Sequence, residues 1–264
     1  RTLNRFDLEE QVLKVILQIR QDHPKMSLRT MYYKVMPVGI GRSHFEELGK
    51  FYGLEVKQIR SSIRTTNSKG VIRFPNLLDQ IELNRINQVW VSDITYVPIL
   101  DEQRYYYLTL IMDAYSNFVI GHSVSKTLQT IETTLVALRS ASKYRVDSSP
   151  LIFHSDGGGQ YYCKEFISYT KELQLLNSMG VTAYENPQAE RLNGILKNQY
   201  IIPKGPKNYA ELKRITTRSI WLYNHERPMP SKKYLTAADI YLNRESSLAT
   251  ASRTLKKNYN CNII

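Results

Sequence analysis

A carboxylate set in the middle of a hydrophobic strand constrains this chain more than any other feature. Residues 89–99 form a near-continuous apolar and β-branched run interrupted by Ser92-Asp93, with Pro98 near its end. Such a run reads as a buried central strand. An unpaired charge is costly there, so Asp93 needs a partner, either a structural salt bridge or a bound cation.

The residues that follow extend the β pattern. Tyr105–Asp113 and Asn117–Ser123 read as two further strands, separated by the turns Asp101-Glu102-Gln103 and Ala114-Tyr115-Ser116, which makes a meander. Thr130–Ser142 reads as a helix, Leu151–His154 as a short strand, and a glycine-rich loop then leads to a helix over Lys164–Leu175. Three antiparallel strands followed by alternating helices and strands predict an α/β domain, a mixed sheet with helices on both faces.

Upstream the pattern is helical. Residues 7–21 place Val12, Leu13, Ile16 and Leu17 at helical spacing, and a second helix is expected from Leu28 to Met36, stopped by Pro37 and the Gly39/Gly41 turn. Ser43-His-Phe-Glu46 has a capping-box pattern that would open a short helix ending at Gly53. Two short helices joined by a glycine-containing turn suit a helix-turn-helix DNA reader with Arg42, His44 and Lys50 as contacts, although most such hairpins are structural. Lys57, Arg60, Arg64, Lys69 and Arg73 are then interleaved with serines and threonines, a set of phosphate ligands that could equally be a solvated linker. The expected organisation is a helical region over 1–56, a basic linker over 57–85, a core over 86–245 and a basic tail over 246–264.

Charge supports this division. Lys and Arg total 36 against 24 Asp and Glu, a net +12. Residues 1–85 carry 15 basic and 9 acidic side chains and residues 200–264 carry 12 and 4, whereas residues 86–199 carry 9 and 11. Basic flanks around a slightly acidic centre suit a chain that grips phosphates with its ends and holds cations in its middle. Two isolated cysteines, Cys163 and Cys261, make neither a disulfide framework nor a zinc cluster. No apolar run approaches membrane-spanning length and no secretory signal opens the chain, so a cytoplasmic location without membrane contact is expected.

Two more carboxylates lie in informative settings. Asp156 follows the short strand in His154-Ser-Asp-Gly-Gly-Gly-Gln-Tyr161, where glycines permit a sharp turn and close approach of a substrate, although an Asp-Gly pair alone is usually just a turn. Glu190 lies in Asn186-Pro-Gln-Ala-Glu-Arg-Leu-Asn-Gly-Ile-Leu-Lys197, with Asn186 as the expected N-cap and Pro187 at the first helical position. Glu190, Asn193 and Lys197 share one stripe of that helix, and Leu192, Ile195 and Leu196 project to the other side, so the polar stripe should face away from the core. Taken alone, this is also the pattern of an amphipathic helix with a solvated face. Glu185 competes with Glu190 but precedes the N-cap. Asp113 reads as a structural hydrogen-bond acceptor and His154 as a support for the Asp156 loop.

Together these segments resemble the DDE transposase and retroviral-integrase catalytic core, and more closely the orfB-type transposases of the IS-three group of bacterial insertion sequences. The resemblance rests on residues 88–96 around Asp93, on 154–161, on 186–197, and on Tyr223-Asn-x-x-Arg227-Pro followed by Leu235-Thr-Ala-Ala-Asp239. It implies an RNase H-like five-stranded mixed sheet with flanking helices, preceded by a helix-turn-helix-like region. It further implies metal-dependent cleavage and strand transfer of double-stranded DNA at the inverted repeats of an insertion sequence and into target DNA, by a homo-oligomer on DNA. Asp93 would bridge two Mg²⁺ or Mn²⁺ ions, and Asp156 and Glu190 would each complete one. Lys197, Asn193 and Arg191 would contact the DNA end, with Arg42, Arg60 and Arg64 as further DNA contacts. The chain departs from the group's pattern in a slightly shorter Asp156–Glu190 interval and in Met229, where a histidine is usual. Three hard oxygen ligands suit phosphodiester exchange, because two divalent ions activate the nucleophile and neutralise the leaving oxygen. The alternatives are a catalytically inactive DNA-binding descendant of a transposase and an RNase H-like nuclease.

Overall fold

A computed structural model of the protein describes residues 5–56, 74–79, 81–145, 148–180 and 185–243. Arg60 and Arg64, like the tail over 246–264, lie outside the described residues. The N-terminal helices are α1 (Arg5–Asp22), α2 (Leu28–Val35) and α3 (Arg42–Phe51). Next come strands β1 (Val89–Ile99), β2 (Arg104–Asp113) and β3 (Val119–Ser125), helix α4 (Thr134–Ser142), strand β4 (Leu151–Ser155), helix α5 (Lys164–Glu172) and strand β5 (Leu175–Met179). Helix α6 (Pro187–Ile195), a π-helical turn over Leu196–Ile201, α7 (Tyr209–Glu226) and α8 (Ala237–Tyr241) follow.

Two compact units divide the chain, one of residues 1–62 and 221–264, the other of residues 63–220. In the first, Val12, Ile16 and Ile19 of α1 pack with Met26, Met31, Ile40 and Phe45 in a single apolar core. Leu17, expected on the apolar face of α1, is instead exposed, because the buried stripe turns through Val15 and Ile19. Ser27 caps α2 by accepting a hydrogen bond from Thr30 N–H at 3.2 Å. The Ser43 capping box does not form. Helix α3 starts two residues earlier, with extended Gly41 as its cap residue, so Ser43 lies inside the first turn and Glu46 instead takes Arg42 at 3.4 Å and Arg29 at 3.3 Å. A complete capping box is present at Thr236 and Asp239, which gives the Leu235-Thr-Ala-Ala-Asp239 motif a structural role at the start of α8.

The sequence reading carries the core on to residue 245, whereas the contacts group Trp221 onward with the N-terminal helices. The ion pairing explains that grouping. Lys34 is 1% exposed, and its ammonium donates to the Glu226 backbone carbonyl at 3.0 Å and to its Oε2 at 2.9 Å. Buried His23 lies 3.2 Å from the same carboxylate. An unpaired lysine could not be buried at this position at an acceptable cost, so the last turn of α7 is fixed to these helices.

The second unit is a five-stranded sheet of order β3-β2-β1-β4-β5. Its β1–β2–β3 meander is antiparallel, and β4 and β5 add in parallel on the other side of β1. Helix α4 packs on β3 and β2, α5 on β5, and α6 on β1 and β2. The approach of α4 is close enough that a Cβ on Gly121 would lie 2.4 Å from the Ala137 carbonyl oxygen. Neighbouring strand residues point to opposite faces. Ser92 Oγ accordingly meets the buried Tyr161 hydroxyl at 2.9 Å, while the Asp93 carboxylate meets Asn193 of α6.

Candidate active site

The register of the two central strands fixes the first two carboxylates. Strand β1 pairs with β4 from Val89↔Ile152 to Ser92↔Ser155, and the pairing stops there. Asp93, within β1, and Asp156, just past the end of β4, are the next residues in that register, where the two strands part. Beyond this point β1 continues, paired with β2 alone, to Ile99. The Gly157-Gly158-Gly159 turn then folds back on Asp156, and Gly158 N–H donates to its Oδ1 at 3.1 Å.

Asp93 accepts two hydrogen bonds, from Ile94 N–H at 2.8 Å and from the Asn193 side-chain amide at 2.8 Å. Burial and the charge of Asp156 nevertheless push its pKa up to about 7, with a smaller contribution from Glu190. Burial likewise raises Asp156, against the opposing effect of the Gly158 N–H. Glu190, on the exposed face of α6, is raised by partial burial and by Asp156. The three acids therefore destabilise one another's charged forms. Among the described residues none of the three has an ion-pair partner.

This donor set fits a hard divalent cation: anionic oxygens, mutually repelling, with no internal counter-charge. Among the described residues no three His, Cys, Asp or Glu side chains are close enough together to hold one ion jointly. That arrangement suits sites in which each ion takes one or two protein carboxylates and completes its shell with water and phosphate.

The remaining candidates fall in different places. Asn193 is 5% exposed and turned toward β1, so the polar stripe of α6 does not face away from the sheet as a unit. Lys197 is half-buried in the π-helical turn, where burial lowers its pKa, and its ammonium has no partner among the described residues. A π turn inside a helix frequently marks a functional site. Arg191 is exposed on α6. Arg42 pairs with Glu46 and hydrogen-bonds Tyr33, and His44 lies 3.0 Å from Glu9. Asp113 is fully buried and accepts from Ser116 N–H at 2.8 Å and Asn87 N–H at 2.7 Å, a structural role. His154 is buried between the Ser178 hydroxyl and the Glu185 carbonyl. Glu185 itself accepts from Asn76 at 3.1 Å and lines a cleft of about 350 Å³ beside the start of α6, which none of the three carboxylates enters.

Sequence reasoning missed two participants. Asn186 was expected to cap α6, and it does occupy the cap position before Pro187, but its side chain makes no cap bond and donates to the Ser92 carbonyl at 2.9 Å instead. Tyr161 stands on the opposite face of β1, bonded to Ser92, and senses both Asp156 and Asp93. Its signal was its place in the 154–161 motif, which does not disclose a long-range partner.

Known proteins resemble this chain in sequence and in fold. Residues 84–184 match the integrase core domain family. The transposase for insertion sequence element IS629 of Shigella sonnei is 31% identical over 212 residues, which cover 78% of this chain and 70% of that protein. The chain belongs to the DDE-type insertion-sequence transposases. The putative transposase for insertion sequence element IS986/IS6110 of Mycobacterium tuberculosis is 30% identical over 149 residues, 53% of this chain and 52% of that protein, so the match spans about half of that relative. The transposase shares its fold, at 16% identity and a TM-score of 0.52, with the simian T-cell lymphotropic virus intasome solved by cryo-electron microscopy in complex with the PP2A regulatory subunit B56 gamma. That alignment covers 88% of this chain and 76% of the other. The fold is thus RNase H-like, and membership of this family implies a polynucleotidyl transferase that acts on DNA and uses a divalent metal. Among the described residues no helix is long and apolar enough to cross a membrane.

Proposed function

We propose that Asp93, Asp156 and Glu190 form the catalytic site with which this transposase cuts and joins DNA at the inverted repeats of a bacterial insertion sequence. The observation that carries this reading is the β1–β4 register, which sets Asp93 beside Asp156 where the two strands part. Glu190 on α6 acts electrostatically on Asp93 and is itself acted on by Asp156.

Asp93, Asp156 and Glu190 are the residues that would hold Mg²⁺ or Mn²⁺, two ions per site, and the bound metal would supply activation of the attacking oxygen and neutralisation of the leaving one. The chain's own residues supply everything around that. Asn193 and Ile94 N–H hold the two oxygens of Asp93 in a fixed orientation, and Gly158 N–H does the same for one oxygen of Asp156. Lys197 and Arg191 offer cations to the phosphates of the terminal repeat, with Arg42, Arg60 and Arg64 gripping DNA elsewhere in the chain. Target DNA, a homo-oligomer assembled on the ends and a cytoplasmic setting complete the proposal.

The test is a strand-joining assay on labelled terminal repeats with Mg²⁺. Joined product is expected from the wild-type chain and none from Asp93→Asn, with binding of the repeat retained in the variant. Hydrolysis without joining would identify a nuclease, and binding alone an inactive descendant.

A further inference from the structure

Helix α6 is fastened to β1 at two points, and Glu190 lies between them. At its first end the Asn186 side-chain amide, 4% exposed, donates to the Ser92 carbonyl at 2.9 Å. Seven residues on, the Asn193 amide donates to Asp93 Oδ2 at 2.8 Å. Seven residues are close to two helical turns, so the two amides project to the same side of α6 and grip consecutive residues of one strand. Glu190 sits on the turn between, four residues after the first amide and three before the second. Each amide donates to β1, while the Oδ1 atoms of both, also buried, have no partner among the described residues. Two buried amides whose carbonyl oxygens are unpaired are not there to maximise stability, because each unpaired oxygen carries a cost.

We propose that Asn186 and Asn193 are positioning residues that fix the distance and angle between Glu190 on α6 and Asp93 on β1, and so set the affinity of the site for its divalent ions. This rests on the assignment of the three carboxylates above. It differs from a DNA contact by Asn193, since that amide is already committed to Asp93 and shielded from solvent. The Glu190 carboxylate is exposed and has no hydrogen bond or ion pair of its own among the described residues, so its place relative to Asp93 depends on how α6 is seated.

The test uses the full-length chain and Mn²⁺ as probe, with binding followed by the loss of the free-ion paramagnetic resonance signal in the absence of DNA. Asn193→Ala and Asn186→Asp should each bind Mn²⁺ about 10–100-fold more weakly than wild type, the usual effect of removing a group that orients a metal ligand. Joining should fall in parallel, and the Kd for terminal-repeat DNA in EDTA should stay within about threefold. Asn186→Asp is the informative variant at that position, because aspartate keeps the size and shape of asparagine but cannot donate to the Ser92 carbonyl. Wild-type Mn²⁺ affinity in Asn186→Asp would show that the bond to the Ser92 carbonyl does not seat Glu190, and would overturn the proposal there. Wild-type Mn²⁺ affinity with weakened DNA binding in Asn193→Ala would overturn it at the other end. Asp93→Asn separates this failure from that of the site itself. If it too binds Mn²⁺ like wild type, the carboxylate site and the clamp both fall; if it alone loses Mn²⁺, only the clamp does.

Discussion

Replacing Asp93 by asparagine should make the metal-free protein more stable at neutral and alkaline pH while abolishing joining. The carboxyl is raised from 3.8 to about 7 in the folded chain, by burial first and by Asp156 and Glu190 after it. A raised pKa means that the folded state holds the proton more tightly than the unfolded state. Below about pH 4 both states are protonated and Asp93 carries no penalty. As pH rises toward 7 the unfolded chain ionises first, and above about 7 the folded state bears the full cost of the charge. The gap between 3.8 and about 7, at roughly 1.36 kcal/mol per pH unit, amounts to ~4 kcal/mol. An introduced amide avoids that cost and can still accept the Ile94 N–H through its oxygen. Part of the gain is offset because the introduced NH₂ meets the Asn193 donor, so ~2–4 kcal/mol should remain, a Tm increase on the order of 10 °C for a unit of this size. Thermal melts in EDTA at pH 4 and pH 8 measure it. The variant should lie at or slightly below wild type at pH 4 and exceed it at pH 8, and saturating Mg²⁺ should raise the wild-type Tm but not that of the variant. A variant less stable than wild type at pH 8, or a difference independent of pH, would refute the electrostatic account of the site.

Three further outcomes follow from other parts of the molecule. Glu226 is held down to about 2, because the bonds and charges of His23 and Lys34 outweigh the opposing effect of burial. It therefore contributes ~3 kcal/mol above about pH 4.5, a contribution lost as pH falls through about 2; in acid titrations followed by helical circular dichroism, Glu226→Gln should remove that transition and lower stability at pH 7. Gly121→Ala should destabilise the sheet unit by about 1–3 kcal/mol or more in urea melts, since the new Cβ meets the backbone carbonyl of Ala137, which cannot turn aside. Tyr161→Phe should cost only about 1 kcal/mol, because Ser92 Oγ keeps its bond to the Leu110 carbonyl, and joining should persist.

What the sequence disclosed follows from the range of each interaction. Asp93 was legible because a charge in a β-branched run breaks a local pattern, and the meander after it was legible because its turns are short. The extra parallel strands were expected, but not the register that stops at Ser92↔Ser155, since pairing between residues sixty positions apart leaves no local trace. Helix α6 was found with its true start at Pro187, yet the task of Asn186 was misread, as cap statistics cannot see a carbonyl waiting on another strand. Helical periodicity likewise placed Asn193 beside Glu190 without revealing which side of that stripe the sheet occupies. At Ser43 the capping pattern was present but Gly41 began the helix earlier, so a true motif occurred in the wrong register.

Three carboxylates, one on β1, one just past the end of β4 and one on α6, are claimed to act as one site. The most direct measurement of that claim is the joining rate of Asp93→Asn, Asp156→Asn and Glu190→Gln, singly and combined, on labelled terminal repeats under conditions where each variant still binds DNA. Residues that act as a unit are non-additive, so each single change should abolish joining and the triple change should do no further harm. If Glu190→Gln joined DNA at near the wild-type rate while Glu185→Gln did not, the site would be built on a different acid and the account would be contradicted.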